Sequence, residues 1–126
     1  MISIHPSTVL VLENDPLLRR AIIDVFEIAG VKSIGVENGR SCLEFLQTHP
    51  NEVDVLVLDV RLPDFEAAQA LAKFRAINPS LKIVVSTVYE QSEVVEQLAG
   101  QHWDQFLQKP YTPDNLVNSV SLLLAN

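Results

Sequence analysis

Val55-Leu56-Val57-Leu58 is an unbroken apolar run that stops at Asp59, with Pro63 soon after. A strand with one wet face alternates apolar and polar residues, so a run with no polar member has water on neither side. Such a strand belongs inside a parallel sheet covered by helices on both faces. In open sheets of that kind, ligands bind outside the carboxyl ends of the strands. Asp59 is thus expected as a carboxylate held at the functional edge of a sheet.

The rest of the chain repeats this grammar. Thr8–Leu12 is a second short apolar run, followed by Asp15 as a helix cap and Pro16 at the first helical position. Leu17, Leu18, Ala21, Ile22, Val25, Phe26 and Ala29 then keep helical spacing, and Gly30 is the stop. Val31–Val36 predicts a weaker strand, Asn38-Gly39 opens a helix carrying Cys42, Leu43, Phe45 and Leu46, and Pro50 closes it. Val53–Leu58 is the strongest strand, and a third helix is predicted from about Glu66 to Ala76. After the Asn78-Pro79-Ser80 loop come a strand over Leu81–Val88 and a helix near Ser92–Ala99. A short strand at Gln105–Gln108 and a last helix over Pro113–Leu124 complete the pattern. Strands alternating with helices imply right-handed βαβ crossovers. The expectation is a doubly wound α/β domain of five parallel strands, with residues 1–126 as a single unit and no output domain in the chain.

Composition narrows the function. Sixteen acidic against nine basic side chains leave a net charge of -7, which repels a nucleic-acid backbone, so no direct nucleic-acid partner is expected. Cys42 is the only cysteine, which excludes an internal disulfide or a cysteine zinc site; it is expected in the core. No signal-peptide pattern and no membrane-length apolar run is present, so the expected location is the cytoplasm, without membrane contact.

The strand ends carry the chemistry. Glu13 and Asn14 follow the first strand, Asp59 the third, Thr87 ends the fourth, and Lys109-Pro110 follows the fifth. Phosphoryl transfer to a carboxylate sets one anion against another and needs charge compensation. A hard divalent cation on oxygen ligands provides much of it; a lysine and a hydroxyl stabilise the phosphoryl oxygens. Asp59, Lys109 and Thr87 have the side chains for nucleophile, cation and hydroxyl.

With those residues in place, the chain resembles the receiver domain of two-component response regulators over nearly its whole length. The matching segments are Val9–Pro16, Leu58–Asp64, Ile83–Thr87 and Phe106–Pro110. The resemblance implies a flavodoxin-like strand order 2-1-3-4-5. It implies that Asp59 takes a phosphoryl group from a sensor histidine kinase or phosphotransfer protein, and that Mg2+ is held by Glu13, Asn14, Asp59 and the main-chain carbonyl of Arg61. Thr87 and Lys109 would contact the phosphoryl oxygens, Thr87 and Phe106 would form the switch, and Lys109–Pro110 would be cis. A downstream protein would bind the face formed by the fourth helix, fifth strand and fifth helix. Such a domain is a switch, not an enzyme.

The chain departs from the family at the usual acidic pair, which here reads Glu13-Asn14; the missing charge predicts weak Mg2+ binding. Ala67 stands where many relatives have glycine, and Val88 where a small residue is usual. His5, His49 and His102 lack metal-ligand spacing and are expected at the surface. Trp103 is expected to pack under the last helix. Glu90, Glu93, Glu96, Asp104 and Asp114 against Lys109 alone argue against a dimer through that face and for a neutral or basic partner. Two alternatives stand beside the phosphorylated receiver. One is a pseudo-receiver binding its partners without phosphorylation, favoured by Asn14. The other is a flavodoxin-like nucleotide binder, opposed by an acidic first loop without glycine.

Overall fold

In the computed structural model, which describes residues 7–124, ten elements alternate along the chain. They are β1 (Thr8–Leu12), α1 (Pro16–Ile28), β2 (Lys32–Val36), α2 (Gly39–Thr48), β3 (Val53–Leu58), α3 (Ala67–Ile77), β4 (Lys82–Thr87), α4 (Gln91–Gln97), β5 (Gln105–Gln108) and α5 (Pro113–Leu124). The five strands form one parallel sheet in the order β2-β1-β3-β4-β5, with the apolar run of β3 at its centre.

The alternation of valine and leucine sorts the two faces. Val9, Val11, Val55 and Val57 pack with Ile22 and Phe26 of α1 and Leu116 and Val120 of α5. Leu10, Leu12, Leu56 and Leu58 pack with Cys42 and Leu46 of α2, Leu71 and Phe74 of α3, and Val94 of α4. Cys42 is fully buried, and burial pushes its thiol pKa far up, so it is an inert core residue. Trp103 corrects the expectation stated for it: it packs against the α2–α3–α4 cluster, on the face opposite α5, together with Tyr89 and Phe106. The sequence places Trp103 just before β5, and only the sheet geometry decides which side of that strand it takes.

Boundaries differ from expectation by one or two residues, each for a local reason. Val31 falls outside β2 because its N–H is given to Phe26 O at 2.9 Å, closing α1. α4 stops short of Ala99, which adopts φ 52° ahead of Gly100 at φ 76°, while Gly100 N–H donates to Val95 O at 3.1 Å. That left-handed pair is a helix-ending geometry which the alanine enters at some strain. His49 is half-buried, stacked on Phe45 at 4.2 Å between ring centroids, whereas His102 is exposed as expected; His5 lies outside the described residues.

Asp15 caps α1 as predicted, accepting from Leu17 N at 2.9 Å and Leu18 N at 3.3 Å. Asp15→Ala is expected to lower stability by about 1 kcal/mol in urea unfolding, the usual effect of losing such a cap. A loss well beyond that would mean Asp15 also supports the loop ahead of it.

Candidate functional site

The carboxyl ends of β1, β3 and β5 bring three ionisable side chains together. Asp59 follows β3 directly, and its N–H continues the ladder to Leu12 O at 3.1 Å. Glu13 follows β1 in the same way, donating to Val36 O at 3.1 Å. Both carboxylates are buried, Glu13 at 3% and Asp59 at 7% exposure. Lys109, after β5, reaches across the sheet edge with Nζ 2.6 Å from Glu13 Oε1 and 3.1 Å from Asp59 Oδ2. The second oxygen of each carboxylate accepts from the main chain: Glu13 Oε2 from Asp15 N at 3.1 Å, Asp59 Oδ1 from Arg61 N at 2.9 Å. Each oxygen still has lone-pair capacity to offer a cation.

Burial pushes the Glu13 pKa up, against the opposing hydrogen bonds from Lys109 and Asp15 N–H. Burial alone would lower Lys109, but its bond to Glu13 and the charge of Asp59 outweigh burial and hold its pKa above the ordinary lysine value. The ammonium is therefore the resident counter-charge of the site. A carboxyl whose pKa is raised on folding contributes stability that is full below its unfolded value and is lost as pH rises through its folded value. Glu13→Gln is accordingly expected to be at least as stable as the parent at pH 7 in urea unfolding. A loss above about 1 kcal/mol would mean that the Lys109 bond outweighs the burial of the charge.

The site opens into a cleft of about 290 Å3 lined by Glu13, Asn14, Asp15, Leu18, Asp59, Arg61, Val88 and Lys109. Asn14 is exposed at its rim and donates Nδ2 to Glu37 O at 3.3 Å, which leaves Oδ1 to offer a cation. Among the described residues no group of three His, Cys, Asp or Glu side chains forms a metal set. An ion here would rest on two carboxylates, one amide oxygen and a main-chain carbonyl. Those donors are all hard oxygens, which suits Mg2+.

Thr87 is fully buried at the end of β4, and its hydroxyl accepts from Tyr89 N at 3.3 Å. Val88, half-exposed, forms the cleft wall on that side. Thr87 is also tied to the lysine through the main chain, its carbonyl accepting from Lys109 N at 2.7 Å, and the Lys109–Pro110 bond is cis. Phe106 is half-buried on β5 opposite Val85, which puts it on the same sheet face as Thr87. Ser86, beside Thr87, shares a hydrogen bond with Tyr111 Oη at 2.8 Å.

Sequence reasoning missed Arg19. Its Nη1 donates to Glu13 O at 2.8 Å and Asn14 O at 3.4 Å, holding the loop that carries Glu13 and Asn14. Gly35 makes room for its stem, since a Cβ there would stand 3.0 Å from Arg19 Cγ. A long cation one turn into α1 carries no sequence signal for this role beyond its nearness to Glu13.

The family model of the response regulator receiver domain matches residues 9–121. The chain is 31% identical over 119 residues to the cyclic di-GMP phosphodiesterase of Thermotoga maritima, covering 94% of this chain but 31% of that protein. It is 27% identical over 116 residues to the chemotaxis protein CheY of the same organism, covering 90% of this chain and 93% of that one. Among solved structures, a chain of the CheX–CheY–BeF3–Mg2+ complex from Borrelia burgdorferi superposes with a TM-score of 0.85 at 15% identity, covering 96% and 91% of the two chains.

Proposed function

The chain belongs to the response regulator receiver domain family, and on that premise we propose that Asp59 is the phosphoacceptor through which it receives a phosphorelay signal. The observation that carries this reading is the buried Asp59 carboxylate at the carboxyl end of the central strand, open to the cleft and bonded to Lys109 Nζ at 3.1 Å.

An Asp59 oxygen attacks the phosphorus of a phosphohistidine on a histidine kinase or phosphotransfer protein. The new P–O bond forms as the P–N bond breaks, and the imidazole leaves with the electron pair. Glu13, Asn14 Oδ1, Asp59 and the Arg61 carbonyl would hold a Mg2+ ion, which would supply positive charge against the anionic carboxylate and phosphoryl oxygens. Receiver domains bind Mg2+ at this place generally; the weak binding proposed for this chain rests on the neutral amide of Asn14. Lys109 exchanges its bond to Asp59 for one to a phosphoryl oxygen. Thr87 releases Tyr89 N and donates its hydroxyl to another, and Phe106, on the same sheet face, follows it.

That rearrangement alters the face of α4, β5 and α5, where a downstream protein binds. Lys109 is turned into the site, so it does not offset Glu90, Glu93, Glu96 and Asp114, and the partner is neutral or basic. Among the described residues no helix is long and apolar enough to cross a membrane. The proposed setting is cytoplasmic, and the proposed role is that of a switch, not an enzyme.

Labelling by acetyl phosphate tests the reading. One phosphoryl group is expected to add in the presence of Mg2+, and EDTA is expected to stop it. An unmodified protein with donor, Mg2+ and cognate kinase all in excess would leave the pseudo-receiver in its place.

A further inference from the structure

The loop from Asp59 to α3 is fastened to a part of the molecule that the phosphoryl chemistry does not touch. Asp64 Oδ1 accepts from Gly39 N at 2.9 Å, and Asp64 Oδ2 accepts from Arg40 N at 3.0 Å. These are the first two N–H groups of α2, which have no partner within their own helix. A carboxylate bonded to both also meets the positive end of the helix dipole. Asn38, at the cap position, serves Ser41 N instead, at 2.8 Å. The N-terminus of α2 is thus completed by a side chain 25 residues away.

The contact is close enough to require glycine. A Cβ on Gly39 would stand 2.4 Å from Phe65 Cδ2 and 3.1 Å from Asp64 Oδ1. Phe65 in turn packs against the core cluster beneath, and Lys73 Nζ lies 5.1 Å from its ring centroid. Asp64 and Phe65 therefore dock side by side on one point of α2, with α3 holding the aromatic ring from behind. Between this anchor and Asp59 lie only Val60, Arg61, Leu62 and Pro63. Asp59 restrains the near end of that segment through Arg61 N at 2.9 Å. Asp64 restrains the far end.

We propose that Asp64 is a positioning residue for the cation site: anchored on the glycine-lined N-terminus of α2, it fixes the span that carries the Arg61 carbonyl beside Asp59. The proposal rests on the reading of Asp59 as a Mg2+-assisted phosphoacceptor. Outer groups that hold a ligand in place commonly change metal affinity by about 10- to 100-fold when removed. Asp64 acts on one main-chain ligand, which places it at the lower end of that range.

The test measures the affinity of the unphosphorylated protein for Mn2+ alone by electron paramagnetic resonance, beside acetyl phosphate labelling with Mg2+. Asp64→Ala and Gly39→Ala attack the two sides of one contact, and Asp64→Asn keeps a single acceptor. Each alanine variant is expected to raise the Mn2+ Kd by about tenfold, with Asp64→Asn between them and wild type. The double variant is expected to be no worse than the poorer single, because both changes break the same contact. Circular dichroism fixes the folded fraction of every sample. Affinity equal to wild type in folded Asp64→Ala overturns the proposal, and so does a loss that only follows the unfolded fraction. Wild-type protein that takes no label removes the premise and the proposal with it. A wild type that labels beside an Asp64→Ala that binds Mn2+ equally well overturns the proposal alone.

Discussion

Asp59→Asn is expected to abolish phosphorylation, from acetyl phosphate and from a phosphorylated histidine kinase alike. The amide keeps the shape of the carboxylate and can still accept from Arg61 N, the bond seen at 2.9 Å. It has no anionic oxygen to attack phosphorus, so the nucleophile is gone while the packing stays. The fold is expected to survive with a stability change within about 1 kcal/mol, because the substitution also removes a buried charge that faces Glu13. Urea unfolding and mass spectrometry of the same sample read both outcomes. Residual phosphorylation of the folded variant would mean that another side chain accepts the group.

Asn14→Asp is the other large effect, and it runs in the direction of gain. The amide stands at the rim of the cleft, next in sequence to buried Glu13. A charge brought close to a cation near a protein surface is worth roughly 4 kcal/mol per unit charge before water and neighbouring charges screen it. Lys109 and the open rim screen it here. The expected gain is about 10- to 100-fold in Mg2+ affinity, each factor of ten corresponding to about 1.4 kcal/mol. Titration of the unphosphorylated protein with Mg2+ measures it. An unchanged Kd would place Asn14 outside the coordination shell and remove the reason for weak binding.

The fold was legible because its two signals are local. The apolar run Val55–Leu58 and its counterpart at Thr8–Leu12 state that both sheet faces are covered, and Pro16, Gly30 and Pro50 punctuate the helices between. The division of work between valine and leucine was written in the same runs, but which helices each set meets follows from crossover geometry. Trp103 went to the wrong face for that reason: it lies just ahead of β5, and the cluster it packs against draws on residues as distant in sequence as Leu10 and Cys42.

The candidate site was legible to the level of residue type and strand end. Glu13, Asp59 and Lys109 do converge, and the wall of the cleft includes Asn14, Arg61 and Val88. What stayed hidden is how those groups are bonded to one another and to the main chain. Lys109 bonds Glu13 across 96 residues, and the Thr87 hydroxyl oxygen accepts from Tyr89 N. Arg19 and Asp64 were hidden for a related reason. Each uses an ordinary polar side chain on main-chain atoms, and only Gly35 and Gly39, where the partners come closest, leave a trace in the sequence.

The central claim is that Asp59 itself carries the phosphoryl group. Borohydride reduction converts an acyl phosphate on aspartate to homoserine, and peptide mapping then locates it. After treatment with acetyl phosphate and Mg2+, the peptide containing Asp59 is expected to hold homoserine at that position and no other peptide to be altered. Homoserine at Asp15 or Asp64 with Asp59 intact would contradict the account.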